Sequence, residues 1–349
     1  MFDNPAFDGH ETVVHTYDQN SGLCAIVAVH NTQRGPSLGG VRAWTYANAT
    51  GALTDALRLS RAMTYKAAMA DLPLGGGKAV LMLPGRGAKT PGMFEALGEM
   101  VDGLGGRYIA AEDIGSTPDD MKRIAARTRH VTGLPLAAGG RGDPSPATAD
   151  GVFAGVAATA RAIGRDLCNL HVTIQGLGNV GFGLAARLRA AGARLTVADI
   201  DRTAVRRAVA ELGATVVDVR DIAAVEADIF SPNALGSVLN RQTIAQLKVA
   251  AVAGAANNQL ATPEDGEFLR ARGILYAPDY VLNAGGVIKM CADYFGWDDA
   301  AVRSRIDGIG DRLEAIFAEA SRRSEPTSAV ADRMAEARFQ PPRLLARTG

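Results

Sequence analysis

Two lysines lie where the sequence predicts little water around the side chain. Lys66 falls on the apolar face of a helix predicted over residues 51–70. Lys78 follows a glycine triplet and begins a continuous apolar run, residues 79–83, which is typical of a buried strand. Because burial disfavours a charged amine, Lys78 should have a lowered pKa and could act as a base near neutral pH. On the residues alone, Lys66 has an alternative interpretation: its aliphatic stem could cover apolar side chains near the helix end while its charge stays in water.

The glycine triplet before Lys78 does not form a phosphate-binding P-loop. That motif needs a glycine at position 72 and a Ser or Thr after the lysine, but the chain has Leu72 and Ala79 there. The lysine therefore remains a candidate for acid–base chemistry.

A carboxylate follows the next predicted strand. Residues 107–111 are typical of a strand, and Thr117 followed by Pro118 predicts the start of a helix. Asp113 therefore lies at the carboxyl end of a strand, which is the edge where α/β proteins place their chemistry. A turn or capping aspartate is the alternative.

The stretch after residue 170 predicts a dinucleotide site. A short apolar strand runs into Gly176, Gly178 and Gly181, spaced as G-x-G-x-x-G. The first glycine allows a tight turn, the second lets the backbone approach a pyrophosphate, and the third lets helix and strand pack closely. Asp199 ends the next strand, where an acid can bind the adenosine ribose and repel a 2′-phosphate, so we expect NAD. The alternative is a βαβ turn with no ligand.

The elements around this stretch alternate between strand and helix. Strands are predicted at 170–175, 195–198, 214–217, 227–230, 249–254 and 274–277. This alternation predicts a doubly wound parallel sheet of the Rossmann type. The first part of the chain predicts two strands, 12–17 and 23–30, a Gly/Pro loop at 35–42 and a helix at 91–103. A dense Gly/Pro run at 139–146 is the candidate hinge, a long helix is expected near 299–323, and a polar tail follows.

Composition excludes several function classes. The 349 residues contain 37 Lys plus Arg and 37 Asp plus Glu, so the formal net charge is zero and attraction to nucleic acid or anionic membranes is not expected. The N-terminus has no apolar segment typical of a signal peptide. Cys24, Cys168 and Cys291 are scattered, which suits a reducing cytoplasm, and the histidines have no metal-ligand spacing, so we expect no metal.

Seven motifs are spread over nearly the whole chain: Gly35-Pro-Ser-Leu-Gly-Gly-Val-Arg, Ala62-Met-Thr-Tyr-Lys, Leu72-Pro-Leu-Gly-Gly-Gly-Lys, Ala111-Glu-Asp-Ile-Gly, Pro144-Ser-Pro-Ala-Thr, Gly254-Ala-Ala-Asn-Asn and Ala277-Pro-Asp-Tyr-Val-Leu-Asn-Ala-Gly-Gly. Together they resemble one family, the glutamate/leucine/phenylalanine/valine dehydrogenases, and most closely the leucine dehydrogenase branch. The resemblance implies reversible oxidative deamination of an L-amino acid to a 2-oxo acid, ammonia and NADH, by a homo-oligomer.

The same resemblance implies two α/β domains with a cleft between them. A substrate and oligomerisation domain would span 1–140 and the NAD-binding domain 141–325, and the segment 326–349 would return to the first domain.

The resemblance also implies a role for each candidate residue. Lys66 would bind the substrate carboxylate, Lys78 would be the base that handles the attacking water, and Asp113 would exchange protons with the substrate amine. Thr148 would hold the nicotinamide carboxamide. The expected substrate residues are Leu38, Gly39, Gly40, Met63, Lys66, Ala111, Asn257, Val287 and Met290. The expected cofactor residues are Thr148, Gly176, Gly178, Asn179, Val180, Gly181, Asp199, Ala234, Asn257 and Asn283.

Four of these positions bear on the choice of amino acid. Leu38 stands where glutamate-specific members have a lysine, and Met290 replaces a polar contact, so a second carboxylate would be buried unpaired. Ala111 and Val287 match the leucine and valine pattern, whereas the leucine branch usually has valine at the position of Met290. We therefore expect leucine, valine or isoleucine, with phenylalanine or another aromatic substrate as the alternative.

Two further readings stay open at this point. The chain could be a catalytically silent NAD-binding protein, although the three charged residues Lys66, Lys78 and Asp113 speak against it. It could also be a hydroxy-acid dehydrogenase, but such enzymes need a histidine base, and no histidine lies in these motifs.

Overall fold

A computed structural model describes residues 1–85 and 87–340. They form two compact units. Unit 1 contains residues 1–85, 87–143, 289–298 and 335–340, and unit 2 contains residues 144–288 and 299–334.

This division differs from the expected boundaries at residues 141–143, which belong to unit 1, and in two longer stretches. Residues 289–298 belong to unit 1, although the expected NAD-binding domain of 141–325 included them. Residues 326–334 belong to unit 2, although they were expected to lie with the first domain. Helix α10 (Gly285–Phe295) and helix α12 (Thr327–Phe339) each continue through a boundary, so no glycine or proline marks the crossing in the sequence. Residues 341–349 of the expected C-terminal segment lie outside the described residues.

In the described part of unit 1, a five-stranded sheet has the order β1-β2-β4-β3-β5. The first two strands form an antiparallel hairpin, β2 and β4 are antiparallel, and β3 is parallel to both β4 and β5. The strands are β1 Thr12–Asp18, β2 Leu23–Asn31, β3 Ser37–Trp44, β4 Gly75–Met82 and β5 Tyr108–Glu112. The accompanying helices are α1 Ala49–Met69, α2 Pro91–Gly103 and α3 Pro118–Ala125.

Strand β3 corrects the loop predicted over residues 35–42. The strand lies between β4 and β5, inside the sheet. The two central glycines of the strand led to the loop prediction, because glycine weakens a strand and its presence in a sequence suggests a turn. The structure shows why a side chain is absent: a Cβ on Gly39 would lie 1.7 Å from the carbonyl oxygen of Gly77 on the neighbouring strand.

Helices cover both faces of this sheet. Helix α1 covers the face that carries Ile26, Ala28 and Val80. The opposite face carries Val27 and Leu81 and packs against α2 and α3. Helix α1 lies very close to β4, because a Cβ on Gly76 would come within 2.1 Å of the backbone nitrogen of Thr64.

In the described part of unit 2, a six-stranded parallel sheet has the order β8-β7-β6-β9-β10-β11. The strands are β6 His171–Gln175, β7 Arg194–Ala198, β8 Thr215–Val216, β9 Ile229–Pro232, β10 Ala251–Val252 and β11 Leu275–Tyr276. Two sets of three strands extend in opposite directions from the β6–β9 pair, which is the doubly wound Rossmann order. The predicted α/β fold class is confirmed, and four of the six expected strands were longer than those observed.

The remaining helices connect or flank these strands. They are α4 Ser145–Ala162, α5 Asn179–Ala190, α6 Arg202–Leu212, α7 Arg241–Gln246, α8 Pro263–Ala271, α9 Asp279–Leu282, α10, α11 Asp299–Arg323 and α12. Helix α12 corrects the predicted polar tail. Its buried positions Ala331, Ala335 and Phe339 repeat every four residues, but two are alanines and give little apolar signal. No helix among the described residues is both long and apolar enough to cross a bilayer.

The contact between α1 and β4 gives a stability prediction. A Gly76→Ala change should force the helix away from the sheet, because the new Cβ would overlap the Thr64 backbone. We expect a loss of about 2–3 kcal/mol in the free energy of unfolding, measured by denaturant titration. Gly103→Ala is the matched control, since its Cβ would meet nothing within 4 Å. Equal stability of the two variants would contradict the close contact.

Candidate active site

One face of the unit 1 sheet carries three of the predicted substrate residues, Leu38, Gly40 and Ala111. Leu38 pairs in register with Gly76 on β4, and Gly40 pairs with Ala111 on β5. Residues paired in register point to the same face, and so do residues two apart along a strand. Leu38, Lys78 and Ala111 therefore share the face that helix α1 covers.

Lys78 is the buried cation of this face. It is only 5 % exposed, and its Nζ donates to Asp113 Oδ2 at 2.6 Å. Burial lowers the pKa of the Lys78 amine below its usual value, and the neighbouring Asp113 carboxylate only partly offsets that effect. The amine is thus easier to deprotonate than a lysine in water.

Asp113 is held in a tight turn directly after β5. Its backbone nitrogen donates to Ser116 Oγ at 2.9 Å, and the Ser116 nitrogen donates back to the Asp113 carbonyl at 3.0 Å. Burial by itself would raise the pKa of this carboxyl, but the positive charges of Lys78 and Arg42 outweigh burial and lower it. Asp113 is a carboxylate at neutral pH.

Arg42 is the residue of this cluster that the sequence prediction missed. Its Nε lies 3.0 Å from Asp113 Oδ2, and its Nη1 lies 3.0 Å from Asp55 Oδ2 on helix α1. Tyr46 Oη donates to the same Asp55 oxygen at 2.8 Å. The alternation of β3 would have placed Arg42 on the face of Gly40, but the segment was predicted as a loop, to which alternation does not apply.

The other predicted residues of unit 1 lie on α1 and α10. Lys66 is half-buried in the last turn of α1, two residues after the Thr64 backbone that packs on Gly76. Met63 is also half-buried on α1. Met290 is half-buried, and its carbonyl accepts a hydrogen bond from Thr132 Oγ1 at 3.2 Å.

The glycine-rich turn of unit 2 has the three features that the sequence predicted. Gly176 has φ +96°, and a Cβ there would lie 2.8 Å from the Ala234 side chain. A Cβ on Gly181 would lie 2.1 Å from the Gly176 carbonyl oxygen, so only glycine lets helix α5 pack here. Gly178 is the residue directly before α5, and a Cβ on it would meet nothing within 4 Å. Bare backbone at a helix start fits a pyrophosphate.

Asp199 holds this turn in place. Its Oδ2 accepts from the backbone nitrogen of Leu177 at 2.5 Å, and its Oδ1 accepts from that of Asp201 at 2.7 Å. A carboxylate has about four acceptor positions, so the half-buried Asp199 can still accept from a ribose hydroxyl. Around the turn, Asn179 and Ala234 are exposed, and Val180 is half-buried.

A second group of polar atoms in unit 2 surrounds Asn283. Its Nδ2 donates to Asn257 Oδ1 at 2.8 Å and to the Ala255 carbonyl at 3.0 Å. Its Oδ1 is buried and has no hydrogen-bond partner among the described residues. An unpaired buried acceptor is costly unless a ligand donor satisfies it. This atom therefore fits an amide or hydroxyl donor of a dinucleotide.

Thr148 and Val287 lie at the start of two neighbouring helices. Thr148 Oγ1 donates to the Pro144 carbonyl at 3.1 Å in the first turn of α4. A Cβ on Gly286 would come within 2.8 Å of that hydroxyl, so the starts of α4 and α10 pack directly together. Val287, the next residue of α10, is buried. The structure thus places the predicted residues as two groups, one within each unit.

The chain was compared with protein families. Residues 10–130 match the model of the Glu/Leu/Phe/Val dehydrogenase dimerisation domain. Residues 139–338 match that of the glutamate/leucine/phenylalanine/valine dehydrogenases. The chain belongs to this family. The predicted resemblance is confirmed, and the protein is an amino acid dehydrogenase, an oxidoreductase acting on a CH–NH₂ group with a nicotinamide cofactor.

Individual relatives of this dehydrogenase cover nearly all of it. Leucine dehydrogenase of Geobacillus stearothermophilus is 49 % identical over 95 % of this chain and 91 % of the relative. Phenylalanine dehydrogenase of Bacillus thermotolerans is 43 % identical over 95 % of this chain and 88 % of its own. The crystal structure of L-tryptophan dehydrogenase from Nostoc punctiforme is 41 % identical, with a TM-score of 0.85, and covers 95 % of this chain and 96 % of that one.

The glycine turn of this dehydrogenase generates a binding prediction. Gly181→Ala should push helix α5 away from Gly176 and weaken NADH binding by about tenfold, equivalent to ~1.4 kcal/mol. A fluorescence titration with NADH measures the effect. Gly310→Ala on α11 is the control, because its nearest contact would be an ordinary 3.6 Å. Unchanged NADH affinity in Gly181→Ala would contradict the assignment of this turn.

Proposed function

We propose that this protein catalyses the reversible, NAD-dependent oxidative deamination of branched-chain aliphatic L-amino acids, which yields the 2-oxo acid, ammonia and NADH. The observation that carries the proposal is the buried Lys78 amine, 2.6 Å from the Asp113 carboxylate, on the sheet face that also carries the buried apolar residues Leu38 and Ala111. A base and an acid–base partner in contact are what amine release and water attack require.

The residues of unit 1 divide the chemistry between them. Lys66, a cation on α1, binds the substrate carboxylate and so orients the Cα. Lys78, once neutral, takes a proton from the water that attacks the Cα. Asp113, in contact with Lys78, exchanges protons with the substrate amine. A bound nicotinamide supplies the acceptor for the hydrogen leaving Cα as hydride.

Unit 2 supplies the cofactor-binding residues of the proposal. Gly176, Gly178 and Gly181 take the pyrophosphate at the start of α5, together with the backbone of Asn179 and Val180. Asp199 takes the ribose and disfavours a 2′-phosphate, which is the reason for proposing NAD. The carboxamide of the nicotinamide is held by Thr148, and Asn283 Oδ1 accepts from the cofactor.

The substrate side chain is proposed to lie against apolar groups. Leu38 and Ala111 are almost fully buried on the face of Lys78, and an unpaired second carboxylate there would cost several kcal/mol. Val287 and Met290 are the other proposed contacts. The name of the leucine dehydrogenase at 49 % identity supports the same choice. An aromatic substrate is the second candidate, because the half-buried Met290 is flexible and relatives named for phenylalanine and tryptophan are 42–43 % identical.

We further propose a homo-oligomer in a reducing cytoplasm. The match of residues 10–130 to a dimerisation domain supports the assembly. The thiols of Cys24 and Cys168 are free in the structure, which suits a reducing compartment.

A substrate panel tests the proposal. Purified protein is given NAD with leucine, valine, isoleucine, phenylalanine, tryptophan or glutamate, and NADH formation is followed by absorbance. We expect the highest kcat/KM with the branched-chain set, none with glutamate, and little with NADP in place of NAD. A phenylalanine or tryptophan optimum would keep the chemistry and overturn the pocket assignment. No turnover in the presence of NADH binding would overturn the activity itself.

Removal of the base gives a second prediction. Lys78→Ala should reduce kcat by about 10³-fold or more, because water attack then lacks its base. NADH binding, measured as for Gly181→Ala, should be unchanged. In the unchanged protein, deamination should fall as pH drops through the lowered pKa of Lys78, because the protonated amine cannot accept a proton. Retained turnover in Lys78→Ala would refute its role as base.

A further inference from the structure

Arg42 connects every element of unit 1 that carries a proposed catalytic residue. From strand β3, its Nε reaches Asp113 after β5 and its Nη1 reaches Asp55 on α1, each at 3.0 Å. Asp55 is eleven residues, or about three turns, before Lys66 on the same helix, so the two share a face. Lys78 of β4 meets the Asp113 oxygen that Arg42 also contacts.

We propose that Arg42 is a positioning residue for the deamination: it keeps Asp113 charged and in place when Lys78 gives up its proton, and it ties the helix that carries Lys66 to the same point. The inference rests on the proposed function, because it assigns Lys78 the part of a base. No motif used in the prediction gave Arg42 a role.

Charge balance is the first part of the argument. The cluster holds two cations, Lys78 and Arg42, and two carboxylates, Asp113 and Asp55, all largely buried. When Lys78 becomes neutral, Asp113 would be a buried carboxylate without a counter-charge if Lys78 were its only partner. A guanidinium does not lose its proton in proteins, so Arg42 remains a permanent partner. Deprotonating Lys78 therefore costs less free energy in this cluster than it would beside a carboxylate that has no other cation.

Competition for one oxygen is the second part. Lys78 Nζ and Arg42 Nε both approach Asp113 Oδ2. The Arg42 charge also lies close enough to repel the charged form of Lys78, whereas Asp113 and Asp55 favour that form. The titratable groups that act on Lys78 are Asp113, Arg42 and Asp55, and Tyr46 and Tyr108 lie in turn within the influence of Asp113. Burial and Asp55 raise the pKa of Tyr46, so it remains a protonated donor.

The shape of the side chain is the third part. Arginine presents a planar fork, and here two different nitrogens of the fork contact two carboxylates on separate elements. Tyr46 Oη donates to the same Asp55 oxygen and fixes its orientation. A lysine has a single nitrogen, and we expect it to hold only one of the two carboxylates.

Variants of Arg42 test the inference with two readouts. The first is the pH dependence of kcat/KM for deamination of the best substrate. The second is the pH dependence of Lys78 acetylation by acetic anhydride, followed by mass spectrometry, which reports the neutral amine without any turnover. In Arg42→Gln, both apparent pKa values should rise by about one unit, because an opposing positive charge is lost. Arg127→Gln, which removes an exposed ion pair with Glu95 at 2.8 Å, is the control and should shift neither.

Each outcome decides the inference. A purely structural role would lower kcat equally at all pH values without moving either pKa, and that result would overturn the proposal. If Arg42→Gln does not fold, Arg42→Lys takes its place: it should keep the acetylation pKa near that of the wild type and raise KM severalfold, because the contact to α1 is lost. An unchanged KM in Arg42→Lys would overturn the proposal that Arg42 holds the helix carrying Lys66 in place. If the wild type turns over no amino acid, the proposed function fails, while the acetylation titration still decides the role of Arg42.

Discussion

The burial of one amine against one carboxylate governs the arrangement of unit 1. A lysine and an aspartate taken out of water each lose several kcal/mol of hydration, which only close pairing and further hydrogen bonds can return. The structure meets this requirement by placing Asp113 in a turn fixed by Ser116 and by adding Arg42 as a second cation. Gly40 of β3 follows from the same demand, since a Cβ there would lie 2.5 Å from the Asp113 Cβ.

Much of this could be predicted because the relevant signals are local. The spacing of Gly176, Gly178 and Gly181 fixes backbone conformation within a few residues, and the structure shows each glycine in the expected surroundings. The position of Lys78 at the start of an apolar run likewise predicts the burial of its side chain, which the structure shows. The alternation of strands and helices after residue 141 was enough to predict the doubly wound sheet.

What could not be predicted depends on contacts between distant segments. Strand β3 contains Gly39 and Gly40, and only the close approach of β4 and β5 makes them compatible with a strand. The role of Arg42 was hidden for the same reason, because its partner Asp113 is 71 residues away in the chain. The helical nature of the C-terminal segment depends on alanines whose burial only the folded structure reveals.

Asp199 has a consequence for engineering the coenzyme preference. Replacing the acid after the second strand is a direct way to make a Rossmann site accept a 2′-phosphate. Here both oxygens of that acid already accept backbone N–H groups, from Leu177 in the glycine turn and from Asp201 at the start of the next helix. A neutral or basic substitute would leave those donors without their acceptor and loosen the turn that we propose to bind the pyrophosphate, so redesign should keep the acid and change the residues around it.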